Sequence, residues 1–76
     1  MNMPYRVNKM TGTIHDASKP HAKKIPSDKY VDRITVSEAK AEAVHNGCIP
    51  RACVKCHFSS AIQEEINLQI KNGGNR

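Results

Sequence analysis

Apolar and polar positions alternate most clearly over Tyr30-Val31-Asp32-Arg33-Ile34-Thr35-Val36, where Ile34 and Val36 interleave with Arg33 and Thr35. A period of two, rich in β-branched residues, predicts a half-buried strand over 30–36. Thr13-Ile14-His15, entered through Thr11-Gly12, predicts a shorter strand over 12–15. Between them, residues 16–29 are polar and interrupted by Pro20 and Pro26. Each proline removes an amide donor and constrains the residue before it, so this segment is not one helix. It leaves room for a single helical turn around Ala22-Lys23-Lys24.

The period then changes. Ser37 is placed as an N-cap, with Glu38 in the first turn where negative charge favours the helix dipole. The predicted helix runs over 38–45, with Ala39, Ala43 and Val44 on one face, and Asn46-Gly47 ends it. A second helix is predicted over 61–71, capped by Ser59 or Ser60, with Ser60 and Gln63 spaced as a capping box. Ile62, Ile66 and Ile70 form its apolar stripe, and Asn72-Gly73-Gly74 stops it. Residues 1–10 show no periodicity and read as a flexible arm, and residues 72–76 as a disordered tail. The expectation is an α+β domain over 11–71, with a two- or three-stranded sheet packed with two helices.

Composition adds a problem of stability. The chain has 76 residues, 38% of them hydrophobic, with no Trp and only Tyr5, Tyr30 and Phe58 as aromatics. Folds below about 70–80 residues usually add disulfides, a metal or oligomerisation to a core this thin. Three cysteines cannot close a disulfide framework without leaving one over. The N-terminus Met1-Asn2-Met3-Pro4-Tyr5-Arg6 lacks the apolar stretch of a signal peptide, and no run approaches the roughly 18 residues of a membrane span. The reading is a soluble, cytoplasmic protein with no membrane partner, a monomer or weak homodimer, in which reduced thiols bind metal.

All three cysteines fall within Cys48-Ile49-Pro50-Arg51-Ala52-Cys53-Val54-Lys55-Cys56, followed at once by His57. The two-residue gap between Cys53 and Cys56 lets both sulfurs reach one ion from a tight turn. Candidates for the remaining ligands are His15, His21, His45, Cys48 and His57. Adjacent residues such as Cys56 and His57 are strained as ligands to one ion, and His45 suits the C-terminal end of the first helix dipole. The bland alternative is three thiols acting as small buried hydrophobes. Cys53-Val54-Lys55-Cys56-His57 also spells the attachment signature of c-type haem. The missing export signal and the thin apolar core speak against that reading.

A further pattern runs through the chain. Thr11-Gly12-Thr13-Ile14-His15, Ala22-Lys23-Lys24-Ile25, Asp32-Arg33-Ile34-Thr35-Val36-Ser37-Glu38-Ala39, and Gly47 with Pro50-Arg51 and Cys53-Val54-Lys55-Cys56 follow in order. This order resembles the metal-binding domain of the Ada DNA-repair protein and related small zinc modules beside bacterial nuclease domains. The resemblance covers residues 9–57. It implies that Cys53 and Cys56 are the C-terminal ligand pair and that His15 stands where Ada has its methyl-accepting cysteine. The family's second N-terminal ligand would fall near Lys19, which cannot serve, and His21 is the substitute. The implied site is a Cys2His2 zinc centre of His15, His21, Cys53 and Cys56. Cys48, where the relatives carry an aromatic residue, and the extra residue Ala52 are departures. Cys48 and His57 stay open as alternative ligands.

Charge shapes the functional expectation. The net charge is +5, and residues 1–35 hold seven Lys/Arg against three Asp/Glu. Such a surface suits phosphate polymers. The leading expectation is a DNA-binding accessory module of zinc-finger type, with Lys23, Lys24, Arg33, Arg51 and Lys55 as backbone contacts. The second is a protein–protein adaptor or inhibitor docking through the Ile62/Ile66/Ile70 stripe or Leu68. No enzyme is expected: with His15 at the acceptor position the Ada chemistry does not transfer, and a closed four-ligand site leaves no open position.

Overall fold

The computed structural model describes residues 3–68. Four strands and two helices make an α+β fold: β1 (Tyr5–Asn8), β2 (Thr13–Asp16), β3 (Tyr30–Arg33), α1 (Val36–His45), β4 (Arg51–Ala52) and α2 (Ser60–Asn67). The sheet order is β3-β1-β2-β4. β1 pairs antiparallel with both β2 and β3, and β4 joins β2 in parallel.

The expected N-terminal arm is therefore corrected: residues 5–8 form an interior strand of the sheet. Tyr5-Arg6-Val7-Asn8 does alternate, with Val7 fully buried, but four residues are too few for the pattern to stand out. The sequence-predicted 30–36 strand starts at Tyr30 as expected, but its C-terminal end changes. The strand stops at Arg33 and Ile34 is exposed, because the chain must turn to enter α1. The cap is Thr35 rather than Ser37: its hydroxyl accepts from the Glu38 amide at 3.1 Å. Starting two residues earlier brings Val36 into the core. Val44, expected on the buried face of α1, is exposed. In α2 the cap is Ser59, whose hydroxyl accepts from Ile62, so the Ser60/Gln63 capping box does not form. Ile70 and the tail at 72–76 lie outside the described residues.

The sheet has two unlike faces. Register and alternation put Val7, Ile14 and Val31 on one side, where α1 packs. Here Val7, Ile14, Val36, Ala39, Ala43, Ala52 and Ile66 make one buried cluster, with Tyr5, Cys48, Phe58 and Ile62 packed around it. The Ile62/Ile66 stripe of α2 thus belongs to the domain's own core. Arg33 clamps β3 to α1 through Glu42 at 2.8 Å. On the other side of the sheet the same register groups Arg6, His15 and Asp32. That face is covered by the Pro-punctuated segment after β2, which contains the short helical turns Ala22–Lys24 and Ser27–Lys29.

α1 ends in a Schellman motif. Cys48 N–H donates to the Ala43 carbonyl and Gly47 N–H to that of Val44, with Gly47 at φ 77°. This closure sends the chain back along β2 as β4 and so delivers the two cysteines to the sheet's second face.

Candidate metal centre

The centre is assembled from three separate segments. His15 lies on β2 and faces away from α1. After β2 the chain reverses through Asp16, whose carboxylate accepts from the Ser18 amide at 3.0 Å and the Ser18 hydroxyl at 2.7 Å. Burial alone would raise the Asp16 carboxyl, but the two Ser18 bonds and the Lys19 charge together outweigh it and lower the group from its ordinary value. The reversal folds His21 over the sheet, at the head of the Ala22–Lys24 turn.

The cysteines come from the other end of the chain. Parallel pairing of Ile14 with Ala52, extended by a 3.0 Å bond from Cys53 N–H to the Ile14 carbonyl, sets Cys53 beside His15. Cys53 then caps the turn Val54–Cys56, in which Cys56 N–H donates to the Cys53 carbonyl at 3.2 Å. The turn puts both sulfurs on the same side.

The four donor atoms lie within 4.8 Å of one another. His21 Nε2 is 3.1 Å from Cys53 Sγ and 3.3 Å from Cys56 Sγ, and His15 Nδ1 is 3.9 Å from Cys56 Sγ. A tetrahedral ion with sulfur at about 2.3 Å and nitrogen at about 2.0–2.1 Å separates S and N by about 3.5 Å. The observed distances bracket that value, so the group is close enough to bind a metal. The sulfurs are shielded: Cys53 is 9% exposed and Cys56 1%. The Asp16 amide points at Cys56 Sγ from 3.2 Å, a donor suited to a thiolate.

Burial dominates the electrostatics of Cys56 and His15. Burial, chiefly, pushes the Cys56 thiol up to about 11, with the neighbouring Cys53 also raising it and the Asp16 amide opposing. Burial, then the neighbouring His21 and Arg6, lowers His15 below the ordinary imidazole value.

The sequence-derived alternatives separate cleanly. Cys48 is at the opposite end of β2, its thiol directed to the Lys9 carbonyl at 3.5 Å. His57 is exposed, as is His45 on the last turn of α1. Neither these histidines nor Cys48 belong to the group. Among the expected nucleic-acid contacts, Lys23, Lys24, Arg51 and Lys55 are exposed, and each lies within three residues in sequence of a site residue. Arg33 is not free: its guanidinium is held by Glu42 and by the Asp32 carbonyl.

Sequence reasoning passed over Arg6. It forks onto Asp32 with bonds of 2.8 and 3.0 Å, donates to the Ala22 carbonyl at 3.1 Å, and lies 3.7 Å over the Tyr30 ring. No sequence signal marked it, because residues 5–8 alternate too briefly to announce a strand. Comparison with protein-family models, curated proteins and solved structures gives no match to this chain.

Proposed function

We propose that this chain is a zinc-stabilised nucleic-acid-binding module with a structural Cys2His2 centre. The observation that carries the reading is the convergence of His15, His21, Cys53 and Cys56 from distant parts of the chain onto one point. Two thiolates and two neutral imidazoles are a donor set for Zn²⁺, and the sum of charges is zero, which suits a shielded site. Four protein ligands fill a tetrahedron and leave no position for water, so the role is structural rather than catalytic. The likeness to the Ada module points the same way, and His15 at the acceptor position removes the methyl-transfer chemistry. A c-type haem is the poorer fit, since both sulfurs face His15 and His21 and His57 is turned out to solvent.

Lys23, Lys24, Arg51 and Lys55 are exposed and lie within three residues in sequence of His21, Cys53 or Cys56, which supports contact with a phosphate backbone. Such contacts give salt-dependent binding with little sequence preference. For the adaptor reading, Ile66 is fully buried in the domain's own core and Ile62 packs against it, which leaves Leu68 as the exposed apolar residue of the docking face named for it.

Fluorescence anisotropy with labelled duplex and single-stranded DNA over a salt series tests the reading. The expected result is affinity at low salt that declines with a log–log slope between about −2 and −4, as a patch of four cations gives. The double substitution Lys23→Ala/Lys24→Ala should make that slope shallower by about two. No binding to either DNA at low salt would overturn the nucleic-acid assignment.

A further inference from the structure

The second face of the sheet has almost no apolar core. The large buried apolar side chains cluster on the α1 side, and the covering segment contributes only Ala22 as a fully buried apolar residue. Something polar must therefore hold that segment, and with it His21, against the sheet. One side chain makes the connection. Arg6 sits directly across from His15 in the β1–β2 ladder and directly across from Asp32 in the β1–β3 ladder. Its Nε and Nη2 are spent on Asp32, which fixes the plane of the guanidinium. Its Nη1 is then aimed at the Ala22 carbonyl, one residue beyond His21. Tyr30, at the far end of the covering segment, closes over the same guanidinium.

We propose that Arg6, oriented by Asp32, is a positioning residue for the metal centre: it fixes the backbone beside His21 and so sets the fourth ligand's place opposite His15, Cys53 and Cys56. This rests on the metal reading above. A lysine at position 6 would keep the charge but could not hold Asp32 with a fork and reach Ala22 at the same time. The Arg33–Glu42 pair supplies an internal control. It is a single-contact ion pair of the same length on the helix side of the same sheet; Arg33 also donates to the Asp32 backbone carbonyl, but none of its hydrogen bonds reaches a ligand of the centre.

The experiment is a Co²⁺ titration of the wild type, Arg6→Lys, Asp32→Asn and Arg33→Lys, following visible ligand-field absorption, with thermal unfolding recorded for each. Asp32→Asn keeps the side-chain shape and guards against a misfolded Arg6→Lys. The wild type should give the bands of a tetrahedral two-sulfur, two-nitrogen site. Arg6→Lys and Asp32→Asn should each weaken Co²⁺ about tenfold or more, the scale of an outer-shell loss, and alter the band shape. Arg33→Lys should lower the melting temperature and leave affinity and spectrum in place. Unchanged affinity and spectrum in Arg6→Lys and Asp32→Asn would overturn the proposal. So would an equal loss in Arg33→Lys, which would mean that affinity merely follows global stability. A wild type that takes up no Co²⁺ or Zn²⁺ would instead overturn the metal reading itself, and this inference with it.

Discussion

His57 is the one described non-glycine residue with a positive φ, at 55°, and it directly follows the second cysteine. The left-handed conformation turns the chain out of the Val54–Cys56 turn toward α2 and costs an ordinary L-residue about 1–2 kcal/mol. Nothing in the centre uses the imidazole. His57→Gly should therefore raise stability by up to about 1 kcal/mol, after the added freedom of the unfolded glycine is subtracted. Chemical denaturation of the zinc-loaded protein would measure it, and metal affinity should not change. The thiols set a pH dependence of opposite character. With Cys56 pushed up to about 11, it carries a proton throughout the neutral range, and binding a cation must expel that proton. Raising the pH therefore favours the bound form. Apparent zinc affinity should increase at least about tenfold per unit between pH 6 and 8, read by competition with a chromophoric chelator. An affinity flat over that range would contradict thiolate ligation.

At the scale of elements, the hairpin between β1 and β2 and the loop between α1 and β4 meet at Gly12. A Cβ there would lie 2.6 Å from the Ile49 carbonyl oxygen and 2.7 Å from Cys48 Cβ, and φ is 79°. Gly47, at φ 77°, has open space around it. Gly12→Ala should cost on the order of 3 kcal/mol and Gly47→Ala about 1 kcal/mol, by equilibrium unfolding. The contrast follows from sterics, because the backbone conformations are nearly the same. Much of this architecture was legible in the sequence: α1 from its Ala spacing and Gly47, β2 from Ile14 and His15, the α2 stripe from Ile62 and Ile66. β1 was not, since its four residues alternate too briefly to signal a strand. The caps slipped because Thr35 and Ser37, or Ser59 and Ser60, offer the same hydroxyl. Tertiary packing of Val36 and Ile66 chose between them. In the centre, Cys53 and Cys56 follow from their spacing alone. His15 and His21 needed an outside resemblance, because only the parallel β2–β4 pairing brings them to the cysteines. Arg6 lay beyond reach, since a bond to the Ala22 carbonyl depends on how the covering segment folds back.

For the molecule as a whole, the sheet is an interface between two different ways of staying folded. One face relies on seven buried, mostly small residues. The other relies on the Arg6–Asp32 pair and on four side chains placed close enough to bind a metal. Structural zinc sites contribute about 10–16 kcal/mol in small domains, against a typical net stability of about 5–15 kcal/mol. With zinc bound as proposed, the centre would decide whether the chain folds. Thermal unfolding by far-ultraviolet circular dichroism, with zinc and after its removal by a chelator, tests this most directly. The zinc-loaded chain should melt in one cooperative transition, the stripped chain should show none, and one equivalent of zinc should restore it. A metal-free chain that keeps the same cooperative transition would contradict the account.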